Sequence, residues 1–199
     1  MDSMVGPPPR GVYPPREDSR LLLPFADVPA GSRFLEIGSG AGEAALRAAR
    51  AGARVVATDR NRAALAWLRT RAARAGLAVE VVRTDLARGL GRFDRILANP
   101  PYLPTPDPAV DPEPADLLAL DGGADGVRVT ARILDELPRH LAPHGTAFVL
   151  VSSVQRPEAL EAVRRGWIER GGRQRVAARR VLEGETLAVW ELSAAPASG

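Results

Sequence analysis

The chain has 199 residues, of which 45% are hydrophobic and 26% charged, and this length and composition favour one globular domain. It contains no cysteine and only two histidines, which excludes disulfides and thiolate metal sites, and we expect no metal centre. All 27 basic residues are arginine, yet the net charge is only +3, which is weak support for an acidic or nucleic-acid partner. No apolar stretch is as long as a membrane span and no signal-peptide core is found, so a cytoplasmic protein is predicted.

The first half of the chain alternates between strand-like and helical patterns. Residues 1–12 are rich in proline and glycine and are predicted to be flexible. Residues 17–26 predict a short helix, which Asp18 or Ser19 would cap. Beyond it, strands are predicted at 33–37, 53–59, 77–85 and 92–99, and helices at 42–52 and 61–76, the second capped by Asp59 or Asn61.

The alternation breaks at residues 101–126, a segment rich in proline and aspartate that reads as a substrate lid or loop. It then resumes with a helix at 126–141, a strand at 145–153, a helix at 156–171, and two strands within 173–192 joined by a turn at 183–185. Residues 193–199 are expected to fray. The pattern predicts one α/β domain over 13–192: a Rossmann-like, seven-stranded, mostly parallel sheet with helices on both faces and a C-terminal antiparallel hairpin.

Ligands of such sheets bind at the carboxyl ends of the strands, and the first strand ends in a glycine-rich turn. Glycines allow a tight turn and close approach of the backbone to a ligand, although a plain turn is the alternative interpretation. The dinucleotide fingerprint needs Gly or Ala where Glu43 stands, and this carboxylate would repel a pyrophosphate. The candidate ligand therefore carries less negative charge, and the candidate binding residues here are Glu36, Gly38, Ser39, Gly40 and Gly42.

The next two strands end in carboxylates. Asp59 stands where an acidic side chain can bind the two hydroxyls of a ribose, although it can also cap the following helix, and Arg60 beside it is a further candidate binding residue. Asp85 can accept a hydrogen bond from an exocyclic amine, and Leu86 can pack on a planar base. The three strand ends together provide for an amino-acid group, a ribose and an adenine.

The fourth strand ends in Asn99, Pro100, Pro101 and Tyr102. Asn99 offers a side-chain carbonyl and Pro100 a backbone carbonyl, while the two prolines stiffen the turn that presents them. Tyr102 supplies a planar face for stacking. Two acceptors and an aromatic platform suit a planar group that bears NH2, such as a side-chain amide or a base amine. These four residues are the predicted catalytic residues.

This set of motifs resembles the class I S-adenosylmethionine-dependent methyltransferases that methylate nitrogen. The flanking segments VYPPREDSRLLL and LDGGADGVRV are similar to those of HemK-type protein glutamine methyltransferases, in their short archaeal and eukaryotic class. The resemblance implies S-adenosylmethionine as cofactor, with Tyr13 and Asn99 also contacting it. It implies that the substrate is the glutamine of the Gly-Gly-Gln motif in a peptide-chain release factor. It also implies a small zinc-binding activator subunit.

Other functions stay open at this point. A methyltransferase acting on an RNA or DNA base would use the same four residues, and the basic run at 170–180 favours it. The acidic residues of 101–126 and the lack of a nucleic-acid-binding domain count against it. A lysine methyltransferase and a non-catalytic scaffold are further alternatives. The third strand is predicted to lie at a sheet edge, where a partner chain can add a strand.

Overall fold

The computed structural model describes residues 6–105 and 119–194. Its strands are β1 Arg33–Ile37, β2 Arg54–Asp59, β3 Val79–Arg83, β4 Phe93–Ala98, β5 Leu141–Ser152, β6 Arg173–Leu182 and β7 Glu185–Ser193. They form one sheet in the order β3-β2-β1-β4-β5-β7-β6. Strands β1 to β5 are parallel, and β7 is antiparallel to both β5 and β6. The predicted seven-stranded sheet with a C-terminal hairpin is confirmed, and β3 lies at an edge.

The helices are α1 Glu17–Leu22, α2 Glu43–Arg50, α3 Arg62–Arg74, α4 Arg128–His140 and α5 Pro157–Glu169, and a 3-10 helix, Leu23–Ala26, follows α1. Two hydrophobic clusters separate them by face. The first contains apolar residues of α1, α2 and α3, and the second those of α4 and α5. Neighbouring residues of β1 divide between the clusters, Phe34 in one and Leu35 in the other, since side chains alternate along a strand. Helices therefore cover both faces.

Two local predictions are wrong. Helix α1 begins at Glu17 with Arg16 as its N-cap and without a side-chain cap from the described residues, so neither Asp18 nor Ser19 caps it. Strand β5 begins at Leu141 rather than 145, because its first residues pair with β4 before a register shift. Helix α3 is capped by Asn61, whose Oδ1 accepts from the backbone nitrogen of Ala63 at 2.9 Å.

The residues before α1 are held in place by contacts with later parts of the chain. Val12 is buried with Ala41 and Ala64, and the Asn61 side chain donates to the carbonyl of Gly11.

The hairpin turn consists of Glu183 and Gly184, because Leu182 already pairs with Glu185. Nowhere in residues 6–105 and 119–194 is a helix long and apolar enough to cross a membrane. Most of the predicted lid, residues 106–118, lies outside the described residues.

Candidate active site

The glycine-rich turn between β1 and α2 cannot accept side chains at every position. Gly42 has a φ of +79°, and a Cβ atom there would lie 2.3 Å from Leu68 Cδ1 of α3. Gly38, with a φ of +69°, faces open space. The hydroxyl of Ser39 is buried and has no hydrogen-bond partner among the described residues. The turn therefore offers room and an unsatisfied polar atom at the start of α2.

Glu36 projects from the end of β1 into the same cavity as this turn. Its Oε2 accepts a hydrogen bond from the backbone nitrogen of Ala45 in α2 at 2.8 Å. Burial raises the pKa of Glu36 to about 8, and the bond from Ala45 only partly offsets that effect. The carboxyl group is therefore mostly protonated at neutral pH, and a cation placed beside it would favour its ionised form.

Asp59, the last residue of β2, joins the second strand end to the glycine-rich turn. Its Oδ2 accepts from the backbone nitrogen of Gly40 at 2.9 Å, and its Oδ1 accepts from that of Asn61 at 2.8 Å. Burial raises the pKa of this carboxyl group, against these backbone hydrogen bonds. Each carboxylate oxygen has a second lone pair, so both oxygens can still accept from a hydroxyl.

Asp85 and Leu86 follow β3 and line a second compartment of the cavity, together with Arg60. Asp85 Oδ2 accepts from Nη2 of Arg132 in α4 at 2.6 Å, and this hydrogen bond lowers the pKa of the carboxyl group. Leu86 has a φ of +55°, which is an uncommon conformation for a leucine. Sequence reasoning found Asp85 and Leu86 but gave no indication of Arg132, which lies 47 positions away.

Asn99 lies where the two compartments meet, since it lines both of them, as do Pro100 and Pro101. Its Nδ2 donates to Oδ2 of Asp18 at 3.0 Å. Its Oδ1 is buried and has no hydrogen-bond partner within 6–105 and 119–194. A buried acceptor without a donor is costly, so this oxygen is arranged for a donor that a ligand supplies.

Asp18, which the sequence suggested either as a helix cap or as part of an N-terminal segment that folds over the cofactor, is a residue of the site. It is 3% exposed, and besides Asn99 it accepts from the Tyr13 hydroxyl at 3.0 Å and from the Ser19 backbone nitrogen at 2.6 Å. The sequence offered two signals. Asp18 belongs to the segment VYPPREDSRLLL, and it precedes Leu21 and Leu22 by three and four positions, on the apolar side of a short helix, where a carboxylate needs partners. Tyr13 also approaches the glycine-rich turn, near Gly40.

The segment that contains Gly122, Gly123 and Gly126 packs against the turn after β4. A Cβ atom on Gly126 would lie 2.4 Å from the carbonyl oxygen of Tyr102. The carbonyl of Gly126 accepts from Nε2 of Gln155, a side chain that is 1% exposed, at 2.8 Å. This part of the LDGGADG sequence is therefore packed against Tyr102, the last of the four predicted catalytic residues.

All the predicted site residues lie at the carboxyl ends of β1 to β4 or on the segment before α1. The first compartment is lined by Tyr13, Glu36, Gly38, Ser39, Gly40, Gly42, Asp59, Asn99, Pro100, Pro101 and Tyr102. The second is lined by Gly38, Asp59, Arg60, Asp85, Leu86, Asn99, Pro100 and Pro101. The chain thus brings these residues together in two adjoining compartments.

Comparison with known proteins supports a methyltransferase. The family model "Methyltransferase small domain" matches residues 16–107. A protein of Methanocaldococcus jannaschii assigned as an N5-glutamine methyltransferase is 37% identical over 147 residues, covering 72% of this chain and 73% of that protein. The release factor glutamine methyltransferase of Gloeobacter violaceus is 35% identical over 165 residues, covering 76% of this chain but only 58% of that protein.

A solved structure extends the similarity to the whole fold. The E. cuniculi Mtq2–Trm112 complex, described as responsible for methylation of the eRF1 translation termination factor, contains a chain with a TM-score of 0.70 and 25% identity. The match covers 93% of this chain and 99% of that one. The sheet order and these matches define a class I S-adenosylmethionine-dependent methyltransferase. Within that class, the chain belongs to the HemK-type family of protein glutamine methyltransferases.

Proposed function

We propose that this protein transfers a methyl group from S-adenosylmethionine to the side-chain amide nitrogen of glutamine in the Gly-Gly-Gln motif of a peptide-chain release factor. The observation that carries the proposal is the buried, unpartnered Oδ1 of Asn99, at the junction of the two compartments. An amide NH2 is the donor that such an oxygen accepts from. The relatives named above support the choice of glutamine and of a release factor.

The residues present fit S-adenosylmethionine. Gly38 leaves space, and the unpartnered Ser39 hydroxyl, together with Glu36, suits the polar amino-acid end of the molecule. Asp59 would hold the ribose hydroxyls, and Asp85 with Leu86 the adenine. When bound, S-adenosylmethionine supplies an electrophilic methyl group on its sulfonium. The site as we propose it uses no metal ion.

The chain's own contribution to the reaction is to orient the accepting amide. Asn99 Oδ1 and the carbonyl of Pro100 would accept the two N–H groups of the glutamine side chain, which favours positive charge developing on that nitrogen. The same two contacts aim the nitrogen lone pair toward the methyl group, and such positioning supplies much of the acceleration. Tyr102 would stack on the amide plane. Burial raises the pKa of the Tyr13 and Tyr102 hydroxyls, so neither phenol serves as a base. The methyl–sulfur bond of the cofactor would break as the nitrogen–carbon bond forms, and the surplus proton would leave the amide nitrogen for solvent after the transfer.

A base methyltransferase is the alternative that shares this chemistry. Most of the basic run that favoured it lies on β6, where part of its charge is neutralised within the chain. Arg175 forms an ion pair with Glu191, and Arg180 forms one with Glu17. This pairing lowers the positive charge that is available to a phosphate backbone, and it supports a protein substrate.

The proposal includes a partner and a cellular setting. Strand β3 lies at the sheet edge, and the related E. cuniculi chain was solved in a complex with Trm112. A small zinc-binding activator subunit would add to the sheet at β3. We assign the catalytic domain to residues 13–192, the substrate lid to residues 101–126, and the site of action to the cytoplasm, where release factors work.

The test is to incubate the protein with S-adenosylmethionine and a release factor of its own organism, alone and with a Trm112-like subunit. Mass spectrometry should locate one added methyl group on the glutamine of the Gly-Gly-Gln peptide. The control substrate carries asparagine in place of that glutamine and should stay unmodified. Methylation of RNA or DNA in parallel assays, with no modification of the release factor, would contradict the proposal and support the base-methylating alternative.

A further inference from the structure

The turn after β3 is held by helix α4 at two points. Arg132 Nη2 donates to Asp85 Oδ2 at 2.6 Å, and one helical turn later Oε2 of Glu136 accepts from the backbone nitrogen of Ala87 at 3.4 Å. Leu86, with its φ of +55°, lies between these two anchored residues. A non-glycine residue keeps such a conformation only where its surroundings fix it. Helix α4 supplies that constraint.

Arg132 also belongs to the wall of the second compartment. Val129, Arg132 and Ile133 all line it, at the i, i+3 and i+4 spacing that places residues on one side of a helix. Val129 and Ile133 give this wall an apolar surface. The guanidinium of Arg132 donates to the carboxylate of Asp85, which lines the same compartment. The Arg132 side chain is 42% exposed, so it lines the compartment at the protein surface.

The ion pair restricts Asp85 to one orientation. With Oδ2 engaged by Arg132, Oδ1 is the oxygen left to accept a bond from a base amine in the compartment. A planar guanidinium is well suited to this task, because its donors are fixed relative to one another and it can also lie against the face of a base. A carboxylate without such a partner would rotate freely and recognise the amine less well.

We propose that Arg132 is a positioning residue for adenine: it fixes the Asp85 carboxylate that recognises the 6-amino group and, with Glu136, holds the Leu86 turn against the base. This inference rests on the proposed use of S-adenosylmethionine. It assigns part of the specificity for adenine to α4, a helix that contains none of the site residues predicted from the sequence. Arg132 binds the Asp85 carboxylate, which recognises the base, and takes no part in methyl transfer itself.

The test compares two ligands by calorimetry. S-adenosylhomocysteine carries the 6-amino group, and S-inosylhomocysteine has an oxygen in its place. In Arg132→Met the affinity for the first should fall by about tenfold, the scale of a weakened charge-assisted hydrogen bond, while affinity for the second stays nearly constant. The preference for adenine therefore shrinks. Arg170→Met is the matched control, since it removes an ion pair with Asp135 on the same helix, outside the compartment.

The outcomes separate the possible explanations. An unchanged ratio of the two affinities in Arg132→Met would overturn the inference, whether both affinities fall equally or neither changes. An equal fall accompanied by a lower melting temperature would assign Arg132 a purely structural role. Loss of the adenine preference in Arg170→Met as well would also overturn it. Failure of the wild-type protein to bind S-adenosylhomocysteine would overturn the proposed function itself, and this inference with it.

Discussion

Asn99 donates from Nδ2 to the carboxylate of Asp18 at 3.0 Å, between residues 81 positions apart in the chain. The bond determines which end of the amide faces the cavity, because an amide has its donors and its acceptor on opposite sides. With the nitrogen held by Asp18, the oxygen is presented to the junction of the two compartments. A carboxylate from the first helix thereby orients the amide at the end of β4.

Asp18→Asn tests this relationship. We expect kcat to fall by about 10- to 100-fold, because the charge-assisted bond that orients Asn99 is replaced by a weaker neutral one. Binding of S-adenosylhomocysteine should change little. Steady-state kinetics and calorimetry measure the two quantities. Asp27→Asn serves as the control, since Asp27 is an exposed carboxylate paired with Arg47. A wild-type kcat in Asp18→Asn would remove Asp18 from the site.

Asn99→Ala is predicted to abolish methyl transfer while leaving cofactor affinity nearly intact. The reason is that its Oδ1 would accept from the substrate amide, whereas other residues hold most of the cofactor. Activity on the release factor and binding of S-adenosylhomocysteine should be measured on the same preparation. If both are lost together, Asn99 supports the structure of the site and not the reaction.

Glu36→Gln is predicted to change how stability depends on pH. The folded-state pKa of Glu36, about 8, lies above the ordinary value of 4.5, so the folded state binds this proton more tightly. The resulting stabilisation is complete below about pH 4.5 and is lost as pH rises toward 8, at up to about 1.4 kcal/mol per pH unit. The variant lacks this loss and should gain stability relative to wild type between about pH 5 and pH 8, within the interval set by the two pKa values.

Urea unfolding at several pH values within that interval measures the effect. A free-energy difference between variant and wild type that does not change with pH would show that Glu36 titrates normally in the folded protein. Glutamine is a suitable replacement because its side-chain oxygen can still accept from the backbone nitrogen of Ala45, as Glu36 does now.

Gly126→Ala is expected to lower the unfolding free energy by about 2–4 kcal/mol, through a left-handed backbone and a contact with the Tyr102 carbonyl. Gly89→Ala is the matched control: its φ is +82°, but its Cβ would meet no atom within 4 Å, so only the backbone cost of about 1–2 kcal/mol applies. Chemical denaturation measures both variants. Gly126→Ala should also reduce kcat. Equal destabilisation by the two variants would mean that Gly126 does not constrain the turn after β4.

Much of the candidate site follows from local sequence. Asn99 and Asp59 were predictable because each directly ends a strand, and the carboxyl ends of parallel strands meet at one edge of the sheet. Asp18 and Arg132 were not, because their roles arise from contacts with residues 81 and 47 positions away. The left-handed conformation of Leu86 was equally hidden, since nothing in a leucine indicates it.

Charge is a second case in which composition alone misleads. The acidic residues of 101–126 counted against a nucleic-acid substrate in the sequence, yet Asp121 pairs with Arg128, and Asp125 pairs with Arg156. These two carboxylates therefore contribute little net negative charge. The other acidic residues of the segment, Asp107, Asp111, Glu113 and Asp116, lie outside the described residues. A count of charges cannot show which of them have partners.

Two neighbouring residues of α1 connect distant parts of the chain, since Glu17 pairs with Arg180 on β6 and Asp18 holds Asn99 at the end of β4. Closing such long loops has an entropic cost that local contacts do not have. During synthesis, the Glu17–Arg180 ion pair can form only after the C-terminal hairpin has left the ribosome. A nascent chain therefore contains the predicted catalytic residues before this contact can hold α1 in place.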